Sequence, residues 1–263
     1  MVELADWHGL VSERTNDYDG LQLVAMVAPG SRSWASPFRV VANDRNGYFV
    51  KTLESCSRDW ARGSLAVEYI VAQAGKLIGA PVCDTSLILI PEEFRGGEIR
   101  RGLPLVPGIA HASKALQHAD ERRDNLAYRN RDDNRVRHVG VYALYDWCWG
   151  SDAQWLHDVD NDQSIYSHDH GLYLPPNDGR IDSKFLQLSA DEPNELPDSP
   201  AGLDGEAVEE VAEALEKIDR DALVNILCAV PASWPVTDEA LATLGWFLEY
   251  RAPAVASRLR ALV

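Results

Sequence analysis

The chain has 263 residues, 46% of them hydrophobic, with a formal net charge of -16. That length supplies a sizeable core for one large domain or two small lobes, while the acidity argues against a broad basic face for bare nucleic acid. No stretch of about 18 apolar residues occurs, so no membrane-spanning helix and no membrane partner are expected.

The first ten residues carry Glu3 and Asp6 where a secretory signal needs basic residues and then an apolar run, so a cytoplasmic protein is expected. Residues 21–28 and 38–42 are apolar runs that read as strands. The segment 43–47 ends in Asn-Gly, a turn signal, and residues 48–53 form the returning strand of a hairpin. A helix is predicted over 58–78, capped by Ser57 and stopped by Gly79, Ala80 and Pro81. Residues 86–90 give a further strand.

Residues 91–107 are rich in Gly and Pro and read as an inter-lobe connection. We expect a division at that point, with a β-rich N-lobe over 1–92 and a helical C-lobe over 93–263. The segment 108–114 reads either as lining the cleft or as opening a helix, and the helix start is favoured. Residues 136–149 are apolar on most faces and read as a buried helix, whereas 175–200, rich in Pro, Asp and Asn, read as irregular. Val208, Val211, Leu215 and Ile218 recur at helical spacing, and Thr237 caps a last helix carrying Leu241, Leu244 and Leu248. The expected class is α+β with segregated halves.

Four cysteines, Cys56, Cys83, Cys148 and Cys228, show no metal-site spacing and read as free thiols. Lys51 shares a strand face with Phe49 and Leu53, an unusual place for a cation. Glu68 lies on a helix face with Ser64, Leu65, Val71 and Ala72, where an unpaired carboxylate is costly. Lys51 is its natural partner. Such a pair orients nucleotide phosphates in kinases, and it also serves as a plain structural ion pair. Asp152 follows the apolar helix and Asp169 follows the short run Ile165-Tyr166. Two aspartates on either side of a short hairpin suit phosphoryl transfer, one handling the acceptor hydroxyl and the other a metal. Turn or cap roles are the commoner fate of single aspartates. The arginines at 122, 123, 129, 131, 135 and 137 alternate with acids, which reads as a salt-bridged surface helix or as a dock for an acidic substrate. His111 and His138 read as packed histidines.

Taken in order, Tyr48-Phe49-Val50-Lys51, Leu65-Ala66-Val67-Glu68, Leu77-Ile78-Gly79-Ala80-Pro81-Val82, Trp147-Cys148-Trp149-Gly150-Ser151-Asp152 and His168-Asp169-His170-Gly171 resemble the HipA-like kinase family. The tail from Val230-Pro231 to Trp234 and Leu248-Glu249-Tyr250-Arg251 is similar too. The resemblance implies a two-lobed protein-kinase-like fold and a bacterial regulatory kinase using ATP and Mg²⁺. It implies that Lys51 contacts the phosphates, Glu68 braces it, Asp152 is catalytic and Asp169 binds metal. The loop Pro29-Gly30-Ser31-Arg32-Ser33 would cover the phosphates through Gly30, Ser31 and Ser33. A kinase catalytic loop carries Asn five residues after its Asp; His157 stands there, and Gln154 is the nearest amide to serve nucleotide or metal. The glycine loop has one glycine, and Ser151 precedes Asp152 where kinases place Arg. The implied activity is transfer of the γ-phosphate to a protein Ser/Thr or small-molecule hydroxyl. The alternatives are an ATP-binding pseudokinase or sensor acting through a partner, transfer of AMP, or an interaction domain without nucleotide.

Overall fold

The computed structural model describes residues 2–31, 33–124 and 126–263, and for Trp60 the main chain only. A five-stranded antiparallel sheet is built from β1 (Leu23–Ala28), β2 (Phe38–Ala42), β3 (Gly47–Lys51), β4 (Thr85–Ile90) and β7 (Gly108–Lys114), in the order β1-β2-β3-β7-β4. Between β3 and β4 runs helix α1 (Ser64–Leu77), preceded by a short 3-10 turn. The predicted cap at Ser57 is thus misplaced, because the chain first winds through Asp59–Gly63 before the α-helix begins. A small hairpin of β5 (Glu98–Arg100) and β6 (Leu103–Pro104) fills part of the expected connection.

Strand β7 corrects the expectation of a helix at 108–114. Its residues Gly-Ile-Ala-His-Ala-Ser-Lys carry weak local preference, and the strand is fixed by pairing on both sides, with β3 and with β4. The sheet therefore takes in residues beyond the expected division at residue 92.

Alternation gives this sheet two different faces. Val40, Val50, Ile88, Ile90, Ala110 and Ala112 point into a small apolar cluster that also holds Ile99 and Leu105 of the β5–β6 region. The opposite face of β3, β7 and β4 presents Lys51, His111 and Thr85, and α1 packs on that side against β4 and β7.

A three-stranded sheet, β8 (Ala119–Arg122), β9 (Trp155–Asp158) and β10 (Ser164–Ser167), follows in the order β10-β9-β8. Behind it lie α2 (Asn134–Trp147), α3 (Ser183–Ser189), α4 (Gly205–Glu216), α5 (Arg220–Cys228) and the long α6 (Asp238–Arg260). Helix α3 falls in the segment expected to be irregular; its N-cap Asp182 accepts from the amides of Lys184 and Phe185. Thr237 caps α6 as expected, accepting from the amide of Ala240 at 3.1 Å. One large core joins these helices to α1, with Trp7, Trp147 and Trp155 fully buried in it. Among the described residues no helix is long and apolar enough to cross a membrane.

Candidate functional site

Lys51 ends β3 with its ammonium turned toward α1, and only 8% of the residue is exposed. It donates to Glu68 Oε1, and at 2.5 Å to Asp169 Oδ1. Glu68 is buried, and its second oxygen accepts from the backbone N–H of His170 at 3.1 Å. One carboxylate thus ties the helix to both the strand lysine and the turn after β10. Asp169 begins that turn in the left-handed region, φ 54°, a conformation aspartate tolerates better than most residues. Gly171 is required by the same closeness, since a Cβ there would sit 2.9 Å from Glu68 Oε1.

The three charges tune one another. Burial pushes the Lys51 ammonium down, but Asp169 and then Glu68 outweigh it and hold the ammonium above its usual range. Burial pushes Glu68 up, opposed by the Lys51 cation. The Lys51 cation holds Asp169 below the usual carboxylate range, against its own burial. Asp169 keeps 42% of its side chain exposed, so it opens to a cleft that the buried Glu68 lines only from its wall.

That cleft holds about 480 Å³, within the range of small-molecule sites. Its roof is the polar face of the first sheet, including Lys51 and His111. Its floor comes from the second sheet, including Glu121 and Leu156, which pair across β8 and β9. His111 sits directly opposite Lys51 in the strand register and is 1% exposed. Neither of its ring nitrogens has a hydrogen-bond partner among the described residues. Burial, then the Lys51 cation, pushes its pKa down to about 3, so the ring is neutral. It is packed, as expected, but packed into the cleft wall.

Of the other residues expected in the site, Gln154, Ser31 and Ser33 line the cleft, the two serine hydroxyls 2.8 Å apart. Gly30 is placed otherwise. Its N–H donates to Ile99 O at 2.7 Å, and a Cβ on it would meet Ile99 Cγ2 at 2.6 Å, so it is a packing glycine whose amide is already taken. Arg32 of the same loop lies outside the described residues. Asp152 does not itself line the cleft; it stands two residues from the lining Gln154, exposed and in the left-handed region at φ 48°. Both its oxygens are engaged: Gln154 Nε2 donates to Oδ2 at 2.7 Å, and Arg123 Nη1 lies 3.2 Å from Oδ1. His157 is fully buried in β9 and does not stand in for the kinase asparagine.

The arginine series forms neither a surface helix nor one dock. Arg122 pairs with Asp120, Arg131 with Asp162 and Arg135 with Asn130. Arg137 donates to Ile165 O, and the buried Arg129 to Tyr142 and Ala201 O. Arg123 alone of the series pairs with a candidate site residue. The sequence placed it in that cluster and gave it no part in the site, because its partner stands before β9, a strand that only tertiary pairing brings beside β8.

No group of three or more His, Cys, Asp or Glu side chains forms a metal cage among the described residues. A cage is not what nucleotide-bound magnesium needs, since one or two carboxylates and phosphate oxygens suffice. Asp169, half open to the cleft, fits that requirement.

No family model and no curated protein matches the chain. Among solved structures it is similar to the Helicobacter pylori proinflammatory kinase CtkA, with a TM-score of 0.59 and 13% identity, over 94% of this chain and 98% of that one. It also aligns with the Golgi casein kinase, alone and with Mn/ADP bound, at 10% identity and TM-score 0.47, over 98% of this chain and 76% of the other. The first of these establishes a protein-kinase-like fold. The HipA-like likeness stays a resemblance carried by the motifs.

Proposed function

We propose that the chain is an ATP- and Mg²⁺-dependent phosphotransferase of the kinase type, passing the γ-phosphate to a protein Ser/Thr or small-molecule hydroxyl. The observation that carries this reading is Lys51, buried between Glu68 and Asp169 at the back of a nucleotide-sized cleft. A buried ammonium fixed by one enclosed carboxylate and one half-open carboxylate is a phosphate-binding device. Glu68 holds the lysine, while Asp169 releases it to an incoming phosphate. Among the described residues the charged groups lining the cleft are Lys51 and Lys114 against Glu68, Glu121 and Asp169. Among the described residues a bare triphosphate meets no net positive charge there, which favours its entry with a divalent cation. Magnesium held on Asp169 would screen the phosphate charge and orient the transferring group. Ser31 and Ser33 supply hydroxyl donors at the same cleft. Asp152, two residues from the cleft-lining Gln154, would accept the proton of an acceptor hydroxyl brought to that side of the cleft. HipA-type specificity is part of this proposal, on the motifs named above.

A second reading, a nucleotide sensor acting through a partner protein, is favoured by one observation. Both oxygens of Asp152 are occupied, and His157 is buried in the place of the metal-binding asparagine.

Thermal unfolding with and without Mg-ATP tests the shared part. The wild type is expected to gain stability by mass action, and Lys51→Ala and Asp169→Ala to lose most of that gain. No shift at millimolar ATP in a folded protein defeats both readings. Labelled ATP then separates them: transfer that disappears in Asp152→Ala supports the phosphotransferase, and binding without transfer supports the sensor.

A further inference from the structure

We propose that Arg123 supplies the cation for the transferring phosphoryl group on the acceptor side of the cleft; this rests on the phosphotransferase reading above. Arg123 extends the chain just past β8, where alternation gives it the parity of Ala119 and Glu121, two cleft-lining residues. Its guanidinium lies 3.2 Å from Asp152 Oδ1, yet its side chain is 75% exposed. Lys51, held by Glu68 at the back of the cleft, serves the phosphates from that wall. The other side chain on Asp152, Gln154, is neutral. Arg123 is the cation in contact with the candidate acceptor-side carboxylate.

A carboxylate that already accepts from two donors is a poor base. One donor has to leave before an acceptor hydroxyl can dock. Gln154 is two residues away on the same loop and lines the cleft, whereas Arg123 is long, exposed and held through one ion pair, an interaction weak enough to exchange. Docking of the hydroxyl on Oδ1 frees the guanidinium to turn to the γ-phosphoryl oxygens, whose geometry its planar fork matches.

In the step that follows, the acceptor oxygen attacks the γ-phosphorus as its proton passes to Asp152. The new O–P bond forms while the bond from γ-phosphorus to the bridging oxygen breaks, and ADP leaves with that electron pair. Charge spread over the equatorial oxygens is where a cation adds most, and an arginine so placed is worth on the order of 10³–10⁵ in turnover in GTPases. The exchange also explains why Asp152 is blocked in the free protein: the residue that blocks it is the one the reaction then uses.

The test uses the full chain and its slow hydrolysis of Mg-ATP, water taking the acceptor's place, so no acceptor need be known. Arg123→Ala is expected to lower kcat by about 100-fold or more, to leave ATP affinity within about twofold, and to lose the tight binding of ADP with aluminium fluoride. Arg123→Lys is expected to keep part of kcat, and added guanidinium to restore part of it to Arg123→Ala. A merely structural role moves neither the aluminium fluoride complex nor the rescue. Turnover of Arg123→Ala equal to wild type overturns the proposal and leaves the phosphotransferase reading standing. A wild type that binds ATP without any turnover overturns both.

Discussion

Among the described residues, a network of buried charge in the helices contrasts with one at the cleft. In the helical half, Asp146 on α2 accepts from Arg251 at 3.0 Å and from Arg258 at 2.7 Å. Arg251, 1% exposed at its side chain, also donates to the carbonyls of Asp146, Trp147, Ser189, Ala190 and Glu192. The rings of Trp149 and Phe247 stack on its guanidinium at 5.0 Å. Each nitrogen of that guanidinium ends on protein acceptors. At the cleft, Lys51 and Glu68 are equally buried, but Asp169 opens to the cavity and His111 keeps two unpartnered nitrogens. A closed network locks α2, the segment after α3 and α6 together. An open network holds binding capacity in reserve, at a cost in stability that only a ligand or water removes.

The largest effect is expected where the closed network is opened. Arg251→Ala leaves Asp146 half-paired and five carbonyls without their donor, which should lower unfolding free energy by about 3–5 kcal/mol. Chemical denaturation measures it. The increment of stability added by Mg-ATP should be unchanged, because Arg251 lies outside the cleft. Loss of that increment together with the stability would erase the distinction between the two networks.

The open network should respond less and differently. Lys51→Met leaves Glu68 buried, but burial already pushes that carboxyl up, so it can take a proton instead of keeping an unpaired charge. The expected loss is about 1–3 kcal/mol, the range of an unmade buried hydrogen bond. Adding Glu68→Leu should restore most of that stability, since an apolar pair replaces a buried ion pair at little cost. The double variant should nevertheless show no stabilisation by Mg-ATP. Nucleotide binding by the repaired double variant would break the claim that this pair is there for phosphate.

Much of the open network was legible in the sequence and little of its surroundings was. Lys51 and Glu68 stand out because strand alternation and helix periodicity put each on an apolar face, and a charge in such a place demands a partner. Asp169 was legible from the short apolar run before it, and β2 from its β-branched and aromatic residues. Strand β7 was not legible, because alanine, glycine and serine carry no strand signal and its neighbours β3 and β4 are distant in sequence. Gly30 looked like a phosphate loop because a glycine beside serines has that composition, whereas what fixes it is the side chain of Ile99. The Arg123–Asp152 pair has no local signal, since it joins positions 29 residues apart through the pairing of β8 with β9. Local chemistry, in short, was readable where burial made a charge anomalous and unreadable where only tertiary pairing assigned the partner.

The smallest effect is a slope. His111 and His170 both belong to the cleft side, and burial pushes each down to about 3, with Lys51 acting in the same direction on both and His168 also on His170. Asp169 opposes the shift in each case, and the closed network around Asp146 contains no histidine. Their folded pKa lies below the ordinary histidine value near 6.5, so the unfolded chain takes up protons that the folded chain refuses. The stabilisation is complete above about pH 6.5 and is lost as pH falls from there toward 3. Each histidine adds about 1.4 kcal/mol per pH unit to that slope. Replacing His111 by Leu removes one proton from the difference, so unfolding free energy measured between pH 6 and pH 4.5, that is, about 6 and about 4.5 in the window set by these pKa values, should fall less steeply by that amount. The variant should also be no less stable than wild type at pH 5, since it loses two unpartnered nitrogens along with the titrating group. An unchanged slope would mean that the ring is charged or solvated in the folded protein, and the cleft would then be wetter and less like a reserve for a ligand than the contrast with the helical network requires.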